Sequence, residues 1–298
     1  MKTISIVTPS FNQGQFIEAA ICSVLSQAGD FYIDYIIMDG KSGDETVDII
    51  KKYEKLLREN CSVIERNGVH YYVKENGDFL WNRCAGISYR WRSEKDDGQV
   101  HALNSGFAMA QGDIFAFLNS DDAYYEKAFQ TVVQARWRGA GFLYGNGMWI
   151  DEKGGDLLTY PTFKPTPYSF YYQCTLCQPA VFFSRAVFRE LGNFSEQHHH
   201  AFDFEYWHRA LFSGKKFRKI DRLLAKSRMY VENKSLSLIE SIRKEIGDIK
   251  QTYYHRPGFK INRIKRFFHL FVTHCRTVIR VNKLQERLGT GIKHKFFP

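Results

Sequence analysis

Residues 3–12 read TISIVTPSFN, and residues 14–26 read GQFIEAAICSVLS. The first six positions are a β-branched apolar run that Pro9 ends, which predicts a buried strand. In the second stretch Phe16, Ile17, Ala20, Ile21, Val24 and Leu25 recur at three- and four-residue steps, which predicts a helix with one buried face. The pattern then repeats. Residues 35–38 (YIIM) are a second apolar run, closed by Asp39-Gly40, and residues 45–57 return to helical spacing. Strand–helix–strand–helix at the start of a chain predicts an α/β fold, a mostly parallel sheet with helices on its faces.

Outward from this unit the pattern loosens. Residues 60–90 predict a β-hairpin with a surface loop, followed by a short strand at 88–92. A helix is expected at 98–110. Residues 113–118 (DIFAFL) predict a buried strand that stops at Asn119-Ser120-Asp121-Asp122. Residues 125–137 predict a helix, 142–150 a strand and 151–155 its turn. Pro161, Pro165 and Pro167 predict an extended link. A strand at 180–183 leads into a short helix ending at Gly192, residues 204–212 predict another helix, and the chain beyond Tyr230 is helix-rich.

The 298 residues are 44% hydrophobic and 25% charged, which excludes disordered, collagen-like and mini-protein classes. The net charge of +10 is local. Residues 255–298 carry 11 Lys and Arg against a single acid, Glu286, so residues 1–254 are balanced. A nucleic-acid-binding body would spread its charge over its main face, so no nucleic-acid partner is expected. No apolar run is long enough for a transmembrane helix, and residues 1–3 lead straight into the first strand without a signal-peptide core. The expectation is a cytoplasmic protein. Its six scattered cysteines, including the lone pair Cys174 and Cys177, read as reduced thiols rather than a zinc site.

In an open parallel sheet, ligands bind beyond the carboxyl ends of the strands. Three such ends carry polar punctuation here: Pro9-Ser10-Phe11-Asn12, Asp39-Gly40-Lys41-Ser42-Gly43-Asp44, and Ser120-Asp121-Asp122. Converging carboxylates repel unless donors or a cation compensate, and a divalent metal bridging an acid to a diphosphate would do so. There is no GxGxxG after the first strand, no GxxxxGK[ST] and no GxSxG, which argues against dinucleotide, P-loop and α/β-hydrolase readings.

Six blocks, in order, resemble inverting family 2 glycosyltransferases of the non-processive bacterial type with the GT-A fold. They are residues 4–27 (ISIVTPSFNQGQFIEAAICSVLSQ), 39–46 (DGKSGDET), 93–122 (SEKDDGQVHALNSGFAMAQGDIFAFLNSDD), 178–185 (QPAVFFSR), 203–210 (DFEYWHRA) and 223–228 (LLAKSR). The resemblance implies a GT-A, nucleotide-diphospho-sugar transferase fold with a mixed, mostly parallel sheet. The catalytic domain would span residues 1–230, with its nucleotide-binding part at 1–122 and its acceptor side at 123–230. A helical, basic, amphipathic extension would occupy residues 231–298. The implied activity is inverting transfer of one sugar from a nucleotide-diphospho-sugar to a saccharide acceptor, lipid-linked or free, in cell-surface polysaccharide assembly. UDP is the working choice of nucleotide, and Mn²⁺ or Mg²⁺ the implied cofactor.

Residue by residue, the resemblance places Pro9, Asn12 and Asp39 in the nucleotide pocket, with Asp44 supporting the same loop. Glu94, Asp96, Gln99 and Asn104 would approach the donor sugar and diphosphate. Asp121 would face the ribose or sugar, and Asp122 would be the metal ligand. Gln178 and Pro179 would lie on the acceptor side, and Asp203 would be the catalytic base, with Glu205 its nearest rival. The chemistry suits these residue types: a hard cation prefers carboxylate oxygens, and one carboxylate can deprotonate an attacking hydroxyl. Two departures stand out. The Gln-x-x-Arg-Trp signature of processive synthases is missing near Trp207, and Tyr230 stands where similar enzymes often carry a histidine. The competing readings are a non-catalytic nucleotide- or carbohydrate-binding module on the same scaffold and a nucleotidyltransferase. The latter would want a glycine- and basic-rich loop that residues 10–15 do not offer.

Within residues 260–284, Ile261, Ile264, Phe267, Phe268, Phe271 and Val272 recur on one helical face bordered by Arg263, Lys265 and Arg266. Such a basic amphipathic helix can lie in an anionic membrane interface, placing the enzyme peripherally on the inner face of the cell membrane. The alternative is that the face packs on the catalytic domain or on a second subunit, giving a homo-oligomer.

Overall fold

A computed structural model of the chain describes residues 1–74, 83–230 and 239–255. The opening unit forms as its spacing predicts: β1 (Lys2–Ser10), α1 (Gly14–Leu25), β2 (Ala28–Asp39) and α2 (Thr46–Asn60). β1 and β2 pair in parallel with Ser10 opposite Asp39, so two polar strand ends meet at one level. On the other flank of β1, β6 (Ile114–Phe117) is also parallel, with Val7 opposite Phe117. That register brings Asn119 to Asp122 out at the same edge. Beyond β2, β5 (Arg83–Ser93) runs parallel to it and sets Ser93 opposite Asp39. The hairpin expected within residues 60–90 is present as β3 (Cys61–Arg66) and β4 (Val69–Lys74), and it lies at the sheet's outer edge.

The half of the sheet built from residues 123–230 is mixed. β10 (Val181–Ser184) runs antiparallel to both β6 and β8 (Phe142–Ile150). β11 (Phe217–Arg228) is parallel to β8, while β7 (Ala123–Tyr124) and β9 (Asp156–Thr159) add antiparallel pairs. Among the described residues eleven strands form one sheet, and its mostly parallel centre with helices on both faces agrees with the expected architecture. Strand alternation divides the core into two layers. Ile4 and Ile6 face α1, α2 and α4 (Ala128–Gln134), where Ile17, Ile21, Leu57 and Phe129 are buried. Val7 faces the other side, with α3 (Gln99–Met109), α6 (Arg185–Leu191), α7 (Phe202–Phe212) and α8 (Ile239–Tyr254), where Phe107, Tyr206, Trp207 and Tyr253 are buried. Each such large side chain contributes about 1.5–3 kcal/mol on full burial. α3 lies so close to β1 that a Cβ on Gly106 would run into Val7.

Several local expectations change. The helix expected at 125–137 is only Ala128–Gln134, because Lys127 sits at φ 61° and breaks the helix at its start. The link at 161–167 ends in a helix, α5 (Pro167–Tyr172). Pro167 occupies its first turn, and Thr166 with Ser169 forms a capping box. β7, β9 and β11 were not legible as strands. Residues 256–298, which hold the basic amphipathic stretch, lie outside the described residues, as do 75–82 and 231–238.

Candidate active site

The loops after β1 and β2, where the nucleotide pocket is expected, are joined by hydrogen bonds. The Asn12 N–H donates to Ser42 Oγ at 2.8 Å, and the Gly43 N–H donates to Asn12 Oδ1 at 2.8 Å. Asn12 adopts φ 50°, a left-handed conformation that asparagine tolerates better than most residues. Ser42 passes the contact on. Its N–H and Oγ donate to the Asp39 carboxylate at 3.0 and 2.5 Å, and Ser93 Oγ adds a third bond at 2.6 Å. Asp44 accepts the Gly14 and Thr46 N–H groups at 2.9 and 3.1 Å, and Thr46 Oγ1 accepts the Gln13 N–H at 2.9 Å. Pro9 is buried beneath this seam. Above it Phe11 is 59% exposed, an unusual position for a phenylalanine, and it flanks Gly40 together with Asp96. Asp96 itself caps the Gly98 N–H at 2.9 Å, and Glu94 is exposed with its N–H on the Asp39 carbonyl.

At the end of β6, Asn119 is a hub that the sequence reading passed over. Its Oδ1 accepts from Gln99 Nε2 at 2.8 Å, and its Nδ2 donates to Gln178 Oε1 at 3.3 Å and towards Asp122 Oδ2 at 3.5 Å. Gln178 Nε2 in turn donates to the Phe117 carbonyl at 2.9 Å, and Pro179 follows in a short 3₁₀ turn. Gln99, expected near the donor, and Gln178, expected on the acceptor side, are thus brought together beside Asp122. Asn104 is placed differently. Its amide exchanges hydrogen bonds with the Phe194 backbone, at 3.0 Å each way, and so ties α3 to the loop before α7.

Asp122 is 4% exposed, and its Oδ1 accepts the Arg228 N–H at 2.9 Å. Burial, and after it the charge of Asp121, raises its pKa well above the ordinary carboxylate value; the Arg228 and Asn119 contacts oppose this without cancelling it. Arg228 is itself a junction. It donates from Nε to the Asp121 carbonyl and from Nη1 to the Asp151 and Glu152 carbonyls, and it lies over the Phe16 ring. Tyr230 donates its hydroxyl to Asp121 Oδ2 at 3.1 Å, so the residue standing in the histidine position touches the carboxylate pair. Among the described residues, no group of three or more His, Cys, Asp or Glu side chains is placed to hold a metal ion. Asp122 alone still fits a hard cation of the Mg²⁺ kind. Such an ion keeps several waters, needs one or two carboxylates plus substrate phosphates, and would offset the burial of this anion.

Asp203 sits in the first turn of α7, half-buried, with Oδ1 accepting the Phe204 N–H at 2.7 Å. Burial pushes its pKa up to about 6, and the backbone N–H groups only partly offset this. The rival Glu205 is engaged structurally. Arg209 donates to both of its oxygens at 3.2 and 2.7 Å, and the Tyr253 hydroxyl adds a bond at 2.7 Å. The lone cysteine pair marks a bridge between the acids. Burial, and after it the charge of Asp203, pushes the Cys174 thiol up to about 12. Burial and then Asp122 raise Cys177. The segment from Cys174 to Gln178 therefore runs from the neighbourhood of one carboxylate to that of the other. Both thiols are free and held protonated, as expected of inert cysteines.

A four-stranded parallel centre, β5-β2-β1-β6, with a hydrogen-bonded loop seam and the Asp121–Asp122 carboxylates at its strand ends and a separate carboxylate at the start of α7, defines a GT-A-type α/β protein. The family model "Glycosyl transferase family 2" matches residues 5–89 and 82–192, and the chain belongs to that family. An uncharacterised glycosyltransferase of Rickettsia conorii is 24% identical over 296 residues, covering 94% of this chain and 42% of that protein. A GalNAc(5)-diNAcBac-PP-undecaprenol β-1,3-glucosyltransferase of Campylobacter jejuni is 25% identical over 158 residues, 53% of this chain and 41% of its own length. A mannosyltransferase from Pyrobaculum calidifontis, solved with GDP-Man and Mn²⁺, superposes with a TM-score of 0.59 at 11% identity, covering 99% of this chain and 76% of that one. This likeness shows the shared fold. The chain spans less than half the length of the first curated relatives it matches.

Proposed function

We propose that this chain transfers a single sugar from a nucleotide-diphospho-sugar to a saccharide acceptor with inversion at the anomeric carbon. The observation that carries the reading is Asp203: a half-buried carboxylate at a helix start whose pKa is pushed up to about 6, near the value a general base needs at neutral pH. Its oxygen takes the proton of the acceptor hydroxyl as that oxygen attacks the anomeric carbon. The bond from that carbon to the diphosphate oxygen breaks, and the diphosphate departs. Asp122 would hold a divalent cation, which when bound neutralises charge on the departing diphosphate. The seamed loops carrying Asn12, Asp39 and Asp44 bound the nucleotide, with the exposed ring of Phe11 available to its base. Gln99, Asn119 and Gln178 orient the groups between donor and acceptor. A lipid-linked acceptor is supported by the name of the Campylobacter relative.

A screen of UDP- and GDP-sugars for Mn²⁺-dependent hydrolysis, repeated with Asp122→Ala and Asp203→Asn, tests this. Both variants should lose the activity, and unchanged rates in both would sink the assignment. Nucleotide binding without hydrolysis or transfer would instead favour a non-catalytic binding module. Flotation on anionic vesicles with and without residues 255–298 tests the membrane contact, and equal flotation would remove it.

A further inference from the structure

α7 carries Asp203 in its first turn, yet its N-cap residue is Ala201, and no side chain of its own segment caps it. The acceptor comes from α8. Glu245 Oε1 accepts the His199 N–H at 3.2 Å, and Oε2 accepts the His200 and Ala201 N–H groups at 2.9 and 2.8 Å. Three donors converging on one side chain suit an ionised carboxylate, which accepts at both oxygens. The same helix holds α7 twice more. The Tyr253 hydroxyl donates to Glu205 at 2.7 Å. The Tyr254 hydroxyl donates to His208 Nε2 at 2.9 Å, while the other ring nitrogen of His208 donates to the Phe204 carbonyl. Burial lowers the pKa of His208 to about 4, so the neutral ring that this pattern requires is the form present. Residues 201, 205 and 208 share one face of α7, and α8 grips that face along its length.

We propose that Glu245 is a positioning residue for Asp203: its carboxylate fixes the chain at residues 199–201 and thereby sets where the first turn of α7 holds the Asp203 side chain. The proposal rests on the reading of Asp203 as the base. The N–H groups at the start of α7 are divided between two anions. Glu245 takes those of residues 199–201, and Asp203 takes that of Phe204. Without Glu245 the first three lose their acceptor, and the turn that aims Asp203 loses its outside anchor. The donor rim is built on β1, β2 and β5, and no bond of this grip reaches it.

The test uses the full chain with Glu245→Ala, Glu245→Gln and Asp203→Asn, and UDP-N-acetylglucosamine and GDP-mannose as donor probes. Hydrogen exchange at amides 199–201 should quicken in Glu245→Ala while amides 42–43 stay protected. kcat should fall by about 10- to 100-fold with KM for the donor unchanged, the size expected for a misplaced catalytic group. Glu245→Gln, which keeps one acceptor oxygen, should recover part of the kcat. Unchanged exchange at 199–201 overturns the proposal. So does a wild-type kcat in Glu245→Gln if Glu245→Ala fails to fold, or a loss that raises KM as much as it lowers kcat. If Asp203→Asn turns over at the wild-type rate, the base reading has failed; if it is inactive and Glu245→Ala is not impaired, only this proposal has.

Discussion

Asp39, at the end of β2, and Asp44, in the loop after it, are surrounded by donors: Asp39 receives three hydrogen bonds and Asp44 two backbone N–H groups. Asp122, after β6, and Asp203, in the first turn of α7, are less well supplied, each with a close N–H from Arg228 or Phe204. The pKa of Asp44 falls because the Thr46 and Gly14 contacts outweigh its burial, whereas burial wins at Asp122 and Asp203 and raises both. One residue type thus serves two purposes, and the difference lies in burial together with the number of donors: Asp44 is exposed and well bonded, while Asp122 and Asp203 are desolvated and less bonded. A well-solvated or well-bonded carboxylate shapes a loop, while an under-bonded one is left able to take up a proton or a cation.

The comparison can be broken most sharply at Asp203. Asp203→Asn should lower turnover about 10³-fold, as loss of a general base does. It should also make the protein more stable at neutral pH. With a folded pKa of about 6 above the unfolded value, the wild type is favoured below pH ~4 and loses that advantage as pH rises through 6. Denaturant unfolding at pH 4 and pH 7 should therefore show a gain of roughly 1–3 kcal/mol for the variant, relative to wild type, at the higher pH. The wild-type rate should itself fall on an acid limb near pH 6, and a limb near pH 4 would place the base elsewhere.

Asn119→Ala sharpens the contrast at the boundary between the two sides. It removes the shared contact of Gln99 and Gln178 and one of the few donors to Asp122, so turnover should drop about tenfold while UDP affinity, measured by calorimetry, changes little. The smallest effect is expected at a well-bonded acid. Asp44→Ala leaves two backbone N–H groups without their acceptor and should cost about 1 kcal/mol in thermal or chemical unfolding.

The strand ends were legible because apolar runs stop abruptly at Pro9, Asp39 and Asn119, and each stop is local chemistry. α1, α2, α3, α6 and β8 followed from spacing alone, within a few residues. β11 was hidden because its first half, FRKIDR, is polar and only partly buried, so no alternation or apolar run announced it. α5 was hidden by its prolines, which read as an extended link until Thr166 and Ser169 are seen to cap each other. The Asn119 hub and the Glu245 cap were illegible for a different reason. Their partners stand 59 and 44 to 46 residues away, and only the strand order and helix packing bring them together.

Arg228 gives the molecule a timetable. Its N–H completes Asp122, and its guanidinium ties the Asp121, Asp151 and Glu152 carbonyls together, across separations of 76 to 107 residues. A chain emerging from the ribosome can build β1, β2 and β6 early, because their pairing needs only the first 117 residues. The carboxylate pair stays unassembled until residue 228 has been made and β11 has docked beside β8, since such distant contacts close late. A nascent fragment with residues 1–117 folded would therefore have the seam between the loops after β1 and β2 but not its finished carboxylate pair.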